Sequence, residues 1–543
     1  MQFWVWVWIY LLFLMEAALA AVSVRCACRF QAAERAFQRL ARRRFAPLAV
    51  GLLATVLRLA VLPIEPVPTP TVHDEFSYLL AADTFAHGRL ANPTHPLWRH
   101  FETMQEEFQP TYVSMYPPLQ GLVLALGLVA AGSAFAAVWL AVGAMCAAIT
   151  WALRGWFPPG WALLGGSLVA LRIGIFSYWA DSYWGGALAA TGGALLVGAL
   201  PRFVKSGRTR WAAVAAAGAA ILLNTRPFEG LIFSAAVGLA AVVLARRGGL
   251  RRAAAAVALL LIPIGALMAY YNWRVFGSPT TLPYTVNRQI YAVAPVFFFQ
   301  KPVPEPHYAH RELRDYFVGW ELPYYLHART ATGYAAVTAS KLERGWLFYI
   351  GPVLTLPLIA AAWTWRSRRT RVFLLLILSL AAATMLTPWF MPHYAAPATV
   401  VVWGLLIQGM RALRRRRPGM VRAIPFICAA MVAVRVAMAL TPIPFVLTYP
   451  MTWATTWSEK IHRVEVEKQL HAAGGRHLVI VHYEAGHNPL REYVFNAADI
   501  DGSDIVWARD MGTEGNQELL RYYRDRKVWG LEADGEPVEL RPF

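Results

Sequence analysis

The sequence predicts a polytopic α-helical membrane protein with a small α/β domain outside the membrane. Three observations predict it. The chain has 543 residues, 57% of them hydrophobic, and a mean hydropathy of +0.41, too apolar for a soluble globular protein. Its basic residues gather in short clusters between apolar runs, as the positive-inside rule requires of membrane spans. Beyond residue 446 the apolar runs give way to short strand-like and amphipathic stretches.

Apolar runs place about twelve spans, each near the roughly 20 residues that cross a bilayer, at 3–24, 46–64, 134–153, 161–178, 184–200, 211–224, 228–245, 253–271, 346–364, 371–388, 394–412 and 422–441. The first 24 residues lack a positively charged leader, and Arg25, Arg29, Arg35, Arg39 and Arg42 to Arg44 follow them. This reads as an uncleaved helix with its N-terminus outside, followed by a basic cytosolic linker to residue 45. Further clusters sit at Arg202–Arg210, Arg246–Arg252, Arg366–Arg371 and Arg411–Arg417. All fall in the cytosol if the apolar run Leu119–Ala131 lies along the membrane surface instead of crossing it, so that placement is expected. The formal net charge of +19 is accounted for by these clusters. No basic face accompanies a nucleic-acid readout motif, and no nucleic-acid partner is expected.

The charge map leaves three long segments outside: loops at 65–133 and 272–345, and the tail 446–543. The membrane core is then 46–445. In the tail, His477–Tyr483, Asp504–Ala508 and Val528–Glu532 read as strands, Asn516–Arg526 as a helix between the last two, and Ser458–Ala473 as a preceding helix. The turn Glu484–Asn488 follows the first strand, where ligands bind in such layers, although a cap or acceptor-docking domain is the simpler reading. The four cysteines, Cys26, Cys28, Cys146 and Cys428, avoid the outer segments, so no disulfide framework is expected.

The residues that point to chemistry lie at the outer ends of spans. His73-Asp74-Glu75 follows the Pro-rich exit Pro63–Pro68. A carboxylate pair and a histidine at a membrane surface suit a general base or, taken together, a divalent-cation site. The competing reading is a helix-capping box from Thr71 to Asp74. Asp181, Arg226, Arg344 and His393-Tyr394 occupy other outer turns, and Arg172 lies inside a span, where an ionisable group implies function by default. Each has a plain alternative: Arg226 can snorkel or pair with Glu229, and the aromatics can be interface anchors. Together they describe an outward-facing cavity in which cations suit a lipid-linked phosphate, acids an acceptor hydroxyl, and aromatics a sugar ring.

The pattern resembles the polyprenyl-phosphate-dependent glycosyltransferases of the type-C fold, which include protein O-mannosyltransferases, lipid A aminoarabinose transferases and Rgt-like bacterial enzymes. The resemblance covers about residues 45–445. It is carried by Asp74-Glu75, by Tyr116-Pro117-Pro118-Leu119 opening the next helix, by the turn with Asp181, by Thr225-Arg226 and by His393-Tyr394 with Pro397. It implies inverting transfer of a sugar from a polyprenyl-phosphate donor to an extracytoplasmic acceptor such as a glycolipid, polysaccharide or protein. Asp74 would be the base or acceptor-orienting group, with Glu75 in support or in a metal site. Arg226, His393, Arg344 and Arg172 would hold the donor phosphate, and Tyr394, Asp181, Tyr116 and His73 the substrate. A divalent cation would be held by His73, Asp74 and Glu75. The expected setting is a bacterial inner membrane with the site outside. A flippase of lipid-linked saccharide and a non-catalytic envelope assembly protein are the alternatives.

Overall fold

The computed structural model describes residues 31–245, 249–440, 462–535 and 538–543, with isolated positions between 11 and 22. The span expected at 3–24, Cys26 and Cys28 lie largely or wholly outside the described residues. The chain forms two compact units. A helical unit takes residues 1–68, 138–264 and 335–457, and a mixed unit takes 69–137, 265–334 and 458–543.

In the helical unit, helices form where apolar residues run uninterrupted and end at glycine or at charge. Ala187–Ser206 and Thr209–Leu223 make the most intimate pair in it. A Cβ on Gly192 would lie 2.8 Å from the Gly218 carbonyl oxygen, and one on Gly218 2.5 Å from that of Gly192. Small residues let apolar helices approach closely where lipid supplies no hydrophobic drive.

Among the described residues, six helices are long and apolar enough to cross a membrane, or seven when one bent pair counts as a single span. Ala46–Ala60, Pro118–Ala131 and Thr209–Leu223 are apolar but shorter. Two spans differ from expectation. The helix expected at 161–178 is Pro159–Arg172, ending in an irregular turn where the polar residues begin. The span expected at 346–364 is broken. Ala331–Tyr349 and Gly351–Thr364 meet at 103°, because Gly351 adopts φ +61° and Pro352 can start a helix but not continue one. At the bend Arg172 donates to the Ile350 carbonyl at 3.0 Å, satisfying a helix-terminal acceptor that lipid could not.

The mixed unit is built from the three segments that the charge map places outside. The tail forms a four-stranded sheet in the order Ile505–Arg509, His477–His482, Lys527–Glu532, Glu539–Pro542. The first three strands are parallel and the last is antiparallel. The helix Gly512–Tyr522 connects the outer strand Ile505–Arg509 to Lys527–Glu532 across the central strand. The sequence reading misses the fourth strand, which is short and largely polar.

The tail is not a separate domain. Leu478, Ile480, Val506 and Leu519 share one core with Leu80, Phe101, Phe108 and Tyr112 of the first loop, so the expected boundary at 446 does not divide the compact units. Met104 of the first loop, Tyr291 and Phe317 of the second and Leu490 of the tail meet in another core. The run Pro118–Ala131 is a short helix in this unit, packed on His73–Ala86, where a Cβ on Gly121 would meet that of Ala81 at 2.5 Å.

Gly351→Ala is expected to lower the thermal midpoint of the detergent-solubilised protein. It forces alanine into a left-handed backbone at about 1–2 kcal/mol, and its Cβ would lie 2.6 Å from Arg172 Nη2. Gly238→Ala, in a helix with open space around it, should leave the midpoint unchanged or raise it.

Candidate functional site

In the mixed unit, Asp74 stands in the first turn of the helix His73–Ala86, where the unsatisfied amides favour negative charge. It is the partly exposed member of its triplet. Its Oδ1 accepts a short hydrogen bond from the Tyr116 hydroxyl. Tyr78 stacks on Tyr116 with ring centroids 4.4 Å apart. His73 is buried, its Nε2 3.8 Å from Asp74 Oδ2, its ring edge-on to Tyr316 at 5.4 Å, and its Nδ1 without a hydrogen-bond partner among the described residues. Burial pushes its pKa down against the nearby Asp74 and Glu492 charges, which favours the neutral imidazole.

Glu75 is committed elsewhere. Its Oε2 accepts the amides of Thr71 at 2.9 Å and Val72 at 3.4 Å. A capping interaction is therefore present, but one residue later than expected: Glu75, not Asp74, reaches back over the N-terminus. Val72, the N-cap, has no polar side chain, so only the carboxylate half of a box forms. The triplet does not converge on a cation. Successive helical residues point about 100° apart, and among the described residues no group of three or more His, Cys, Asp and Glu side chains is placed to hold a metal.

In the helical unit, two guanidinium groups meet one aromatic turn. Arg226, at the N-cap of Pro227–Leu244, lies over the Tyr394 ring at 4.2 Å. Arg344 Nη1 donates to the Phe390 carbonyl at 3.2 Å. The Phe390 and Tyr394 rings are 6.4 Å apart, and both arginines remain partly exposed. Lys341 holds the base of this turn, donating to the Thr384 carbonyl at 2.7 Å and to that of Thr387. His393 is buried between Trp184 and Tyr394. The Tyr178 oxygen accepts the His393 main-chain N–H at 3.1 Å and lies 2.9 Å from its Nδ1. With the tyrosine proton on Nδ1, both groups are satisfied and Nε2 carries the ring proton.

No protein-family model matches the chain, and no curated protein matches it. The solved structures similar to it include two of one archaeal enzyme. The first is the Archaeoglobus fulgidus oligosaccharyltransferase in the apo form: TM-score 0.44, 11% identity, covering 80% of this chain and 62% of that one. The second is the archaeal oligosaccharyltransferase AglB of the same organism, in complex with an inhibitory peptide and a dolichol-phosphate: TM-score 0.42, 11% identity, covering 90% of this chain and 70% of that one. The chain thus spans under two thirds of the first enzyme's length.

Three expected ligand groups serve the scaffold. Arg172 is fully buried and bonded to the bend at Ile350. Asp181 is fully buried and paired with Arg58 at 2.5 Å. Burial pushes its pKa up to about 7, opposed by the Arg58 charge. Arg58 also donates to the Glu65 carbonyl at 3.0 Å, and Glu65 pairs with Arg435 at 3.0 Å. Tyr116, expected on the substrate, is engaged with Asp74. Arg58 is missed in the sequence reading, although an arginine within an apolar run carries the same signal that singles out Arg172.

Asp181→Asn is expected to destabilise the protein by about 3–5 kcal/mol, since it leaves Arg58 buried without its counter-ion. The double variant Arg58→Met/Asp181→Leu should recover much of that loss. Thermal unfolding of the two in the same detergent measures it.

Proposed function

We propose that this chain is an inverting membrane glycosyltransferase that moves a sugar from a polyprenyl-phosphate carrier to an acceptor hydroxyl or amide. The observation that carries the reading is Asp74: a carboxylate in a helix's first turn, partly open, with one oxygen held by a tyrosine and the other left over. A buried neutral histidine and stacked tyrosines surround it. This is a base with a fixed orientation beside flat faces that suit a sugar ring.

The acceptor oxygen or nitrogen attacks the anomeric carbon and its proton passes to Asp74 Oδ2. The bond from that carbon to the phosphate oxygen breaks, and polyprenyl phosphate leaves with the bonding pair. Arg226 and Arg344 are the cations assigned to the donor phosphate, where their charge offsets the one that develops on departure. Backside attack inverts the anomeric centre. In this reading the chain crosses a bacterial inner membrane about twelve times, the number of apolar runs in the sequence, and the mixed unit faces the extracytoplasmic side. The acceptor is a glycolipid, polysaccharide or protein of the envelope.

Two variants test it, assayed with a panel of undecaprenyl-phosphate monosaccharides and envelope membranes as acceptor. Asp74→Asn should abolish transfer at parental protein level; a variant with normal turnover would remove Asp74 as base. Arg226→Ala should raise the donor KM about tenfold or more, the loss of one charge-assisted contact, with the acceptor KM little changed. An unaltered donor KM would take Arg226 out of the phosphate site.

A further inference from the structure

Gln105 has no part in the mechanism above, yet its backbone is exceptional. Its φ is +60°, the one positive value outside glycine among the described residues. A left-handed backbone is costly for a residue with a long side chain, and such strain persists where surrounding contacts over-determine it.

The contacts are explicit. The Gln105 carbonyl accepts the Ser77 hydroxyl at 2.6 Å and the Met115 amide at 3.2 Å. Ser77 Oγ lies 2.7 Å from Ser114 Oγ, which accepts the Tyr116 amide at 3.2 Å. The proton directions are consistent throughout: Tyr116 N–H to Ser114, Ser114 O–H to Ser77, Ser77 O–H to the Gln105 carbonyl. The ring then closes through side chains, because Gln105 Oε1 lies 2.5 Å from the Tyr116 hydroxyl, while the amide also bonds Tyr316. Ser77 stands one turn after Asp74 on the same helix. The ring therefore ties together the Asp74 helix, the loop before the strand Glu106–Glu107, and the end of the strand Thr111–Ser114.

A phenol has one proton to give. Asp74 Oδ1 and the Gln105 amide both lie within its reach. The bond to a carboxylate is charge-assisted and the stronger of the two. With the phenol proton on Asp74, Oε1 facing the phenol oxygen would leave two acceptors opposed; flipping the amide turns its NH₂ toward that oxygen and holds the tyrosine proton on Asp74. Glycine would adopt φ +60° without strain but could not do this.

We propose that Gln105 is a positioning residue for Asp74. Acting through Tyr116, it keeps Oδ1 occupied and aims Oδ2 at the acceptor's proton. The proposal rests on Asp74 being the base.

Two variants test it in the transfer assay. Gln105→Gly relieves the backbone and removes the amide. Gln105→Glu preserves the shape but offers a carboxylate that competes with Asp74 for the tyrosine proton. Both should lower kcat about 10- to 100-fold, the scale of a base misplaced by a fraction of an ångström to an ångström, with donor and acceptor KM within about threefold and, for Gln105→Gly, no fall in thermal midpoint. Parental kcat in either variant overturns the proposal. So does a loss of kcat in Gln105→Gly accompanied by a lowered thermal midpoint, which marks a purely structural residue. Asp74→Asn measured alongside separates the two readings. If it is active, the base assignment fails; if it is inactive while Gln105→Gly is fully active, only the role of Gln105 fails.

Discussion

The packing of the first loop against the tail sheet is the constraint on which the mixed unit depends. The helix that presents Asp74 cannot hold its place alone. Its Asp83 accepts the Ala498 amide at 2.8 Å, its Phe76 stacks on Phe495 at 4.0 Å, and Arg463 lies over both Phe76 and Trp507. The strand residues Leu478, Ile480 and Val506 complete the core beneath. Each apolar side chain buried this way contributes about 1.5–3 kcal/mol. The tail is thus the floor under the carboxylate, a more intimate role than that of a docking module.

A second buried centre in the same unit shows how polar groups are accommodated there. Arg509 is fully buried and pairs with Glu492 and Glu312. Glu492 in turn accepts the Tyr483 hydroxyl and the Val494 amide. Arg288 grips Glu321 with two bonds at 2.6 and 2.9 Å, using the guanidinium fork that lysine lacks. Buried charges paired this completely add little net stability, but losing one partner is severe. Arg509 Nε also donates to the Glu102 carbonyl at 2.6 Å, so this one guanidinium ties the three chain segments together.

What could be read in the sequence was whatever leaves a signature in composition or period. Charge asymmetry marked 65–133, 272–345 and the tail as companions, because Lys and Arg distribute by side and not by fold. The tail strands and helix were visible from alternation. Asp74 stood out because a carboxylate pair at a span's end needs a reason. The bend at Gly351 was hidden because hydropathy averages over Gly351-Pro352, although that dipeptide is itself the signal. The Arg58–Asp181 pair was hidden because 123 positions of chain separate the two residues and nothing in composition or period links them. Gln105 left no trace, since glutamine has no preference for the left-handed conformation it adopts.

The shared core also has a consequence in time. Phe101 must wait for Leu478 and Ile480, and a ribosome adding about 5–20 residues per second takes roughly 20–80 s to make the intervening stretch. Throughout that interval the first loop is made but lacks the tail's share of its core. Asp74 cannot be set in place until the tail arrives. The order of synthesis itself therefore delays assembly of the mixed unit, and the half-made loop is left in need of shelter from aggregation.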